Sequence, residues 1–175
     1  VTKAQIEEIA KTYPTPFHIY DEKGIRENAR RLQKAFAWNK GFKEYFAVKA
    51  TPNPYIMQIL REEGCGVDCS SLTELMLSDA VGFSGSEIMF SSNVTPAEDF
   101  RLARRLNAII NFDDLTLIDF YAGIAPFADT MCCRYNPGGD FTLNNAIMDT
   151  PRDAKYGMTK EHMMEAFRTV KAYGV

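Results

Sequence analysis

Short apolar runs alternate with longer amphipathic stretches along almost the whole chain, and this alternation restricts the fold more than any other feature. Residues 17–20, 45–48, 66–69, 88–91, 108–111 and 130–134 read as strands. The intervening stretches, near 25–37, 55–63, 72–81, 96–106 and 114–124, with a last one near 160–173, carry the helical period. A strand followed by a helix is a βα unit, and successive units lay their strands parallel because each helix carries the chain back across the sheet. From residue 45 onward five strand–helix pairs follow one another. Such a sheet either closes into a barrel or stays open. The G-x-G-x-x-G and G-x-x-x-x-G-K-[ST] fingerprints of nucleotide-binding open sheets are absent, so a barrel is preferred. A complete barrel needs eight strands in about 250 residues, so five strands in 175 residues describe part of one.

Local signals agree with these boundaries. Ser71 and Glu74 have capping-box spacing, Thr95-Pro96 offers a cap with a first-turn proline, and Gly64, Gly82 and Gly123 fall where helices should end left-handed. Charge excludes some functions. The 20 Lys and Arg are interspersed with 23 Asp and Glu, leaving a net −3 and no basic field for nucleic acid. No run of about 18 apolar residues occurs, so no membrane span is expected. Residues 1–11 are helix-like and lack the basic end and apolar block of a signal peptide. Cys65, Cys69, Cys132 and Cys133 form no C-x-x-C pair, and His18 and His162 are far apart, so no metal site is expected. His18 reads as a structural residue of its strand. Free thiols fit a reducing compartment, and the expected location is cytoplasmic.

In a βα barrel the C-terminal strand ends converge on one face. Lys49 follows the first barrel strand and is succeeded at once by Ala50-Thr51-Pro52-Asn53-Pro54, so the strand breaks into a turn that presents one amine. Such an amine suits Schiff-base chemistry with an aldehyde cofactor or a carbonyl substrate when desolvation lowers its pKa. Asp68 ends the second strand, Ser91-Ser92-Asn93 the third, Asn111 and Asp113 the fourth, Arg134 and Asn136 the fifth. Taken singly, Lys49 reads equally as a solvated strand-end lysine, and Asp68 or Asp113 as a cap or turn former.

Five segments in order carry a resemblance. Thr15-Pro16-Phe17-His18-Ile19-Tyr20-Asp21, Phe46-Ala47-Val48-Lys49-Ala50, Gly66-Val67-Asp68-Cys69-Ser70-Ser71 with Glu74-Leu75, Arg134-Tyr135-Asn136-Pro137-Gly138 and Ala154-Lys155-Tyr156-Gly157 resemble the fold-type III pyridoxal-phosphate decarboxylases. Within that group they look most like the diaminopimelate decarboxylases. The resemblance implies an α/β fold, a partial (β/α)8 TIM-like barrel of the alanine racemase and ornithine decarboxylase type. Residues 1–40 would form an N-terminal segment whose strand joins a C-terminal β domain, and 41–175 an incomplete pyridoxal-phosphate-binding barrel. It implies pyridoxal 5'-phosphate as cofactor, Lys49 as the Schiff-base lysine, Asp68 as a carboxylate near the cofactor, and Arg134 as a barrel-lining arginine near its phenolic oxygen. It further implies a small amino acid substrate, with meso-diaminopimelate giving L-lysine and carbon dioxide, a homodimeric full-length protein, and little activity from these 175 residues alone. Decarboxylases of carboxynorspermidine, arginine or ornithine type and a non-catalytic cofactor-binding homologue are the alternatives. A racemase is disfavoured because Thr51-Pro52-Asn53-Pro54 follows the lysine. Leu72-Thr73 departs from the two glycines common in the group, and the 138–153 loop reads either as a cover for the site or as a surface excursion.

Overall fold

The computed structural model describes residues 1–138 and 156–175. Two helices, α1 (Lys3–Thr12) and α2 (Glu22–Ala35), precede the sheet. Then come β1 (Tyr45–Ala47), a 3-10 turn (Val48–Ala50), α3 (Pro54–Glu62), β2 (Gly66–Cys69), α4 (Leu72–Val81), β3 (Ile88–Ser92), α5 (Ala97–Arg105), β4 (Ile109–Phe112), α6 (Thr116–Ala122), β5 (Cys132–Cys133) and α7 (Lys160–Ala172). The five strands lie side by side in chain order and every pairing is parallel. This is the succession of a βα barrel, and the described chain forms part of one.

The register divides the strands into two faces. Phe46, Val67, Ile88, Cys69, Phe90, Ile110 and Phe112 belong to one set of aligned positions, and all but Phe46 are buried. They pack against Leu75 of α4, Phe100 and Ala103 of α5, and Ile118 and Tyr121 of α6 in one continuous core. Phe100 meets the Tyr121 ring edge-on at 5.2 Å. Each fully buried Phe or Leu here contributes about 1.5–3 kcal/mol, so this face supplies most of the sheet's stability. The alternate positions, Ala47, Asp68, Met89, Ser91, Asn111 and Cys132, form the concave face and stay half-covered.

The N-terminal helices attach differently. No residue of α1 is buried. The second helix is tied to α3 by ions: Arg26 bonds Glu62 at 2.7 Å and Glu63 at 3.0 Å, and Arg30 bonds Glu63 at 2.6 Å.

Several expectations need correction. Residues 17–20 have no ladder partner among the described residues, and His18 is exposed, stacked on Tyr20, rather than packed inside the protein. The first barrel strand stops at Ala47, and Val48 joins the 3-10 turn instead. Thr95 caps nothing: Pro96 stays extended at the N-cap of α5, and the Thr95 hydroxyl is buried without a partner. Gly64 and Gly82 are left-handed as expected, but Gly123 is right-handed, with φ −77°. Ser71 accepts from the Glu74 N–H, yet the Glu74 carboxylate takes the Ser70 N–H at 2.9 Å, one residue earlier than a capping box requires. No helix among the described residues is long and apolar enough to cross a membrane.

Candidate active site

The lysine is presented by a break in its strand. Val48 is wholly buried and anchors the 3-10 turn, and Thr51 N–H closes it by donating to the Val48 carbonyl at 3.1 Å. Asn53 then caps α3, accepting from the Tyr55 N–H at 3.0 Å, with Pro54 in the first turn where its missing N–H costs nothing. Between these fixed points Lys49 stands exposed at the C-terminal edge of the sheet.

Asp68 lies on the concave face of β2, and its Oδ1 is buried with no hydrogen-bond partner. Burial is the main influence on this carboxyl and pushes its pKa up from the ordinary value. The Ser91 hydroxyl, the Lys49 ammonium and the Arg134 guanidinium all pull it down, while Glu74 pushes it up. Lys49 and Arg134 thus both lie within electrostatic reach of Asp68. Ser91 in turn accepts from Asn111 Nδ2 at 3.3 Å, so polar groups on three adjacent strands meet on one face.

Arg134 is held on several sides. Its N–H donates to the Phe112 carbonyl and its carbonyl accepts from the Met158 N–H, both at 2.8 Å. Its Nη1 donates to Asp113 Oδ1 at 3.1 Å, and the guanidinium sits 5.2 Å from the centre of the Tyr156 ring. Asp113 is only 6% exposed whereas Arg134 is 45% exposed, so the anchored end is buried and the other end is open. Asn136 Nδ2 donates to the Tyr156 carbonyl at 3.1 Å, drawing residues 134–136 and 156–158 together. The expectations for Lys155 and for most of the 138–153 loop fall on residues 139–155, outside those described.

Three supporting roles escape a reading of the sequence. Glu74 steadies Ser70 beside Asp68, Asp113 anchors Arg134, and Tyr156 stacks on it. The parallel register Asn111↔Cys132, continued two residues, sets 113 beside 134, but only once the strand order is known. No signal in the sequence marks Tyr156 as an arginine partner.

Fold and site define a βα-barrel protein that gathers an exposed amine, a half-buried carboxylate and an anchored guanidinium at the C-terminal ends of its strands. The chain belongs to the pyridoxal-dependent decarboxylase family: residues 22–173 match the model of that family's pyridoxal binding domain. It is 36% identical to Protein TabA of Pseudomonas amygdali pv. tabaci over 163 residues, covering 93% of this chain and 38% of that protein. It is 30% identical to the diaminopimelate decarboxylase of Methanothermobacter thermautotrophicus over 168 residues, covering 95% of this chain and 39% of that one. The structure of diaminopimelate decarboxylase from Helicobacter pylori complexed with L-lysine superposes with a TM-score of 0.82 at 26% identity, over 95% of this chain and 43% of that one. The chain therefore spans about two fifths of the length of these relatives.

Proposed function

We propose that this chain supplies the cofactor-holding part of an amino acid decarboxylase that uses pyridoxal 5'-phosphate. The observation that carries the reading is the convergence of Lys49, Asp68 and Arg134 on one end of one sheet face. The donor set fits such a group. A primary amine suits its aldehyde, the buried partnerless Oδ1 of Asp68 suits a polar group approaching from the concave side, and an arginine with one end open suits an anionic oxygen. When bound, pyridoxal phosphate supplies an electron sink for the electron pair left as carbon dioxide departs. On this reading the protein's own part is positioning: Lys49 would hold the group through its amine, and Asp68 and Arg134 would set its orientation.

The proposed substrate is meso-diaminopimelate, with L-lysine as product. Identity to a named diaminopimelate decarboxylase along nearly the whole chain supports this. The higher identity to Protein TabA makes substrate choice a separate question. On this reading residues 41–175 are barrel, residues 1–40 lead into it, and residues 17–20 pair with a β domain outside these residues. On the same reading β1 and β5, each paired with one other strand among the described residues, take further barrel strands, and the working protein is a homodimer.

The test loads the native polypeptide with pyridoxal phosphate, reduces it with borohydride and locates the modified lysine by mass spectrometry. Modification at Lys49, lost in Lys49→Ala, is expected. Modification confined to another lysine overturns the site. A panel of meso-diaminopimelate, lysine, ornithine, arginine and carboxynorspermidine, scored by carbon dioxide release, decides the substrate.

A further inference from the structure

Arg134 is held by two elements, and only one of them is an ion. Asp113 and Arg134 each stand two residues beyond the paired Asn111 and Cys132, so both continue the concave side of their strands. The Asp113 carboxylate accepts from Nη1 at 3.1 Å, which fixes one end of the guanidinium. A hydrogen bond at one nitrogen leaves the plane free to swing about it, and direction matters for a flat group with five N–H donors. The Tyr156 ring, its centre 5.2 Å from the guanidinium carbon, supplies the missing constraint.

A backbone clasp places that ring. Residues 156–158 run parallel beside 134–136, with Tyr135 opposite Met158. Met158 N–H donates to the Arg134 carbonyl at 2.8 Å, Asn136 N–H donates to the Met158 carbonyl at 2.9 Å, and Asn136 Nδ2 donates to the Tyr156 carbonyl at 3.1 Å. The Met158 side chain is buried in the core, so the far end of the clasp is anchored. Gly157 makes the approach possible: its φ is +89°, and a methyl group there would meet Asn136 N at 3.1 Å and the Tyr135 carbonyl carbon at 3.2 Å. Tyr156 itself is 46% exposed, so its ring fills no core. Packing does not require an exposed ring on so tightly specified a backbone, but the arginine beside it does.

We propose that Tyr156, set in place by Gly157, is a positioning residue that fixes the plane of the Arg134 guanidinium, so that the N–H groups turned away from Asp113 face an anionic oxygen entering the site. The inference rests on the proposed cofactor role for the identity of that anion, but the placing of Arg134 is tested without the cofactor.

In the cofactor-free native polypeptide carrying nitrogen-15 arginine, the Arg134 side-chain signals are assigned by their loss in Arg134→Lys, and rotation about the Nε–Cζ bond is read from their exchange. Tyr156→Leu is expected to speed that rotation about 2- to 30-fold, the range of a lost cation–π contact. Tyr156→Phe keeps the ring and the wild-type rate. Gly157→Ala keeps the ring but moves it, and is expected to speed rotation as Tyr156→Leu does. With pyridoxal phosphate as the probe, equilibrium dialysis is expected to show a similar loss of affinity in Tyr156→Leu and Gly157→Ala. In an Arg134→Met background Tyr156→Leu adds nothing, since the tyrosine acts only through the arginine. An unmoved rate in Tyr156→Leu, a faster one in Tyr156→Phe, or an equal loss of affinity in the Arg134→Met background overturns the proposal. Should Gly157→Ala fail to fold, Tyr156→Leu and Tyr156→Phe decide it. Failure of the wild-type polypeptide to bind pyridoxal phosphate overturns the cofactor role alone, because the rotation rates still judge the placing of Arg134.

Discussion

Gly66→Ala is expected to cost about 2–4 kcal/mol of stability, and the cost comes from close approach rather than from backbone freedom. Gly66 opens β2 directly opposite Tyr45, and a methyl group there would lie 2.6 Å from the Glu87 carbonyl and 2.8 Å from the Tyr45 ring. Neither neighbour can yield cheaply. The carbonyl is backbone immediately before β3, so moving it opens the β2–β3 pairing, and the ring is tethered by its hydroxyl, which donates to the Ser86 carbonyl at 2.7 Å. Overpacking of a tight site costs about 1–3 kcal/mol, and breaking the Tyr45 tether adds about 1 kcal/mol. Gly85→Ala is the control, because nothing lies within 4 Å of its new methyl while φ is +58°. It isolates left-handed strain, about 1–2 kcal/mol. Urea unfolding of the native polypeptide, followed by circular dichroism, measures both. A Gly66→Ala midpoint no lower than that of Gly85→Ala would refute the steric argument. Because Gly66 stands two residues from Asp68 on the same strand face, the displacement is also expected to weaken cofactor retention, which Gly85→Ala leaves unchanged.

Two further outcomes follow from burial. The Asp68 carboxyl is raised in the folded state, so the native protein binds more protons than the unfolded chain as pH rises from about 4, and stability falls across that window. Asp68→Asn is therefore expected to unfold at a higher urea midpoint than wild type at pH 7.5 and to lose that advantage at pH 4, while binding pyridoxal phosphate poorly; a lower midpoint at both pH values contradicts it. Burial also pushes the Cys69 thiol up to about 12, leaving it protonated and slow toward iodoacetamide at pH 8, whereas half-buried Cys132 and Cys133 react first. Bound cofactor is expected to protect Cys132, on the concave face, more than Cys133, on the helix side, and equal protection would argue against a concave-face site.

The βα succession was legible because helical and strand periods differ enough to survive in one sequence, and Leu72–Val81 and Gly66–Cys69 match the expected bounds. The misses share a cause: each depends on what a neighbour supplies. Gly123 sits at a helix end, yet the chain turns there without a left-handed residue because Ile124 and Ala125 donate back to the Tyr121 carbonyl. Thr95 has the chemistry of a cap, but the extended Pro96 sets it one residue too early. Lys49, Asp68 and Arg134 could be placed at strand ends from the sequence. The partners that make them a site, Asp113, Ser91, Glu74 and Tyr156, come from four different elements and required the register.

That register also separates what holds the molecule together from what it does. On β2, β3 and β4 the apolar positions facing the helices are buried almost completely, and the polar positions between them carry Asp68, Ser91 and Asn111. A substitution one residue along a strand therefore changes category. Ile110→Ala empties a core site and costs about 2–5 kcal/mol, whereas its neighbour Asn111 touches the sheet's stability through one 3.3 Å hydrogen bond. The concave face is free to carry a buried oxygen without a partner because the opposite face has already secured the strands. Asp68 Oδ1 is tolerated there as a local cost, and a group arriving on the concave side would relieve it by donating a hydrogen bond. Binding energy at this site and the cost of a partnerless Oδ1 would then be the same quantity seen from two sides, so the variant that stabilises the protein, Asp68→Asn, is also the one that weakens its hold on a ligand.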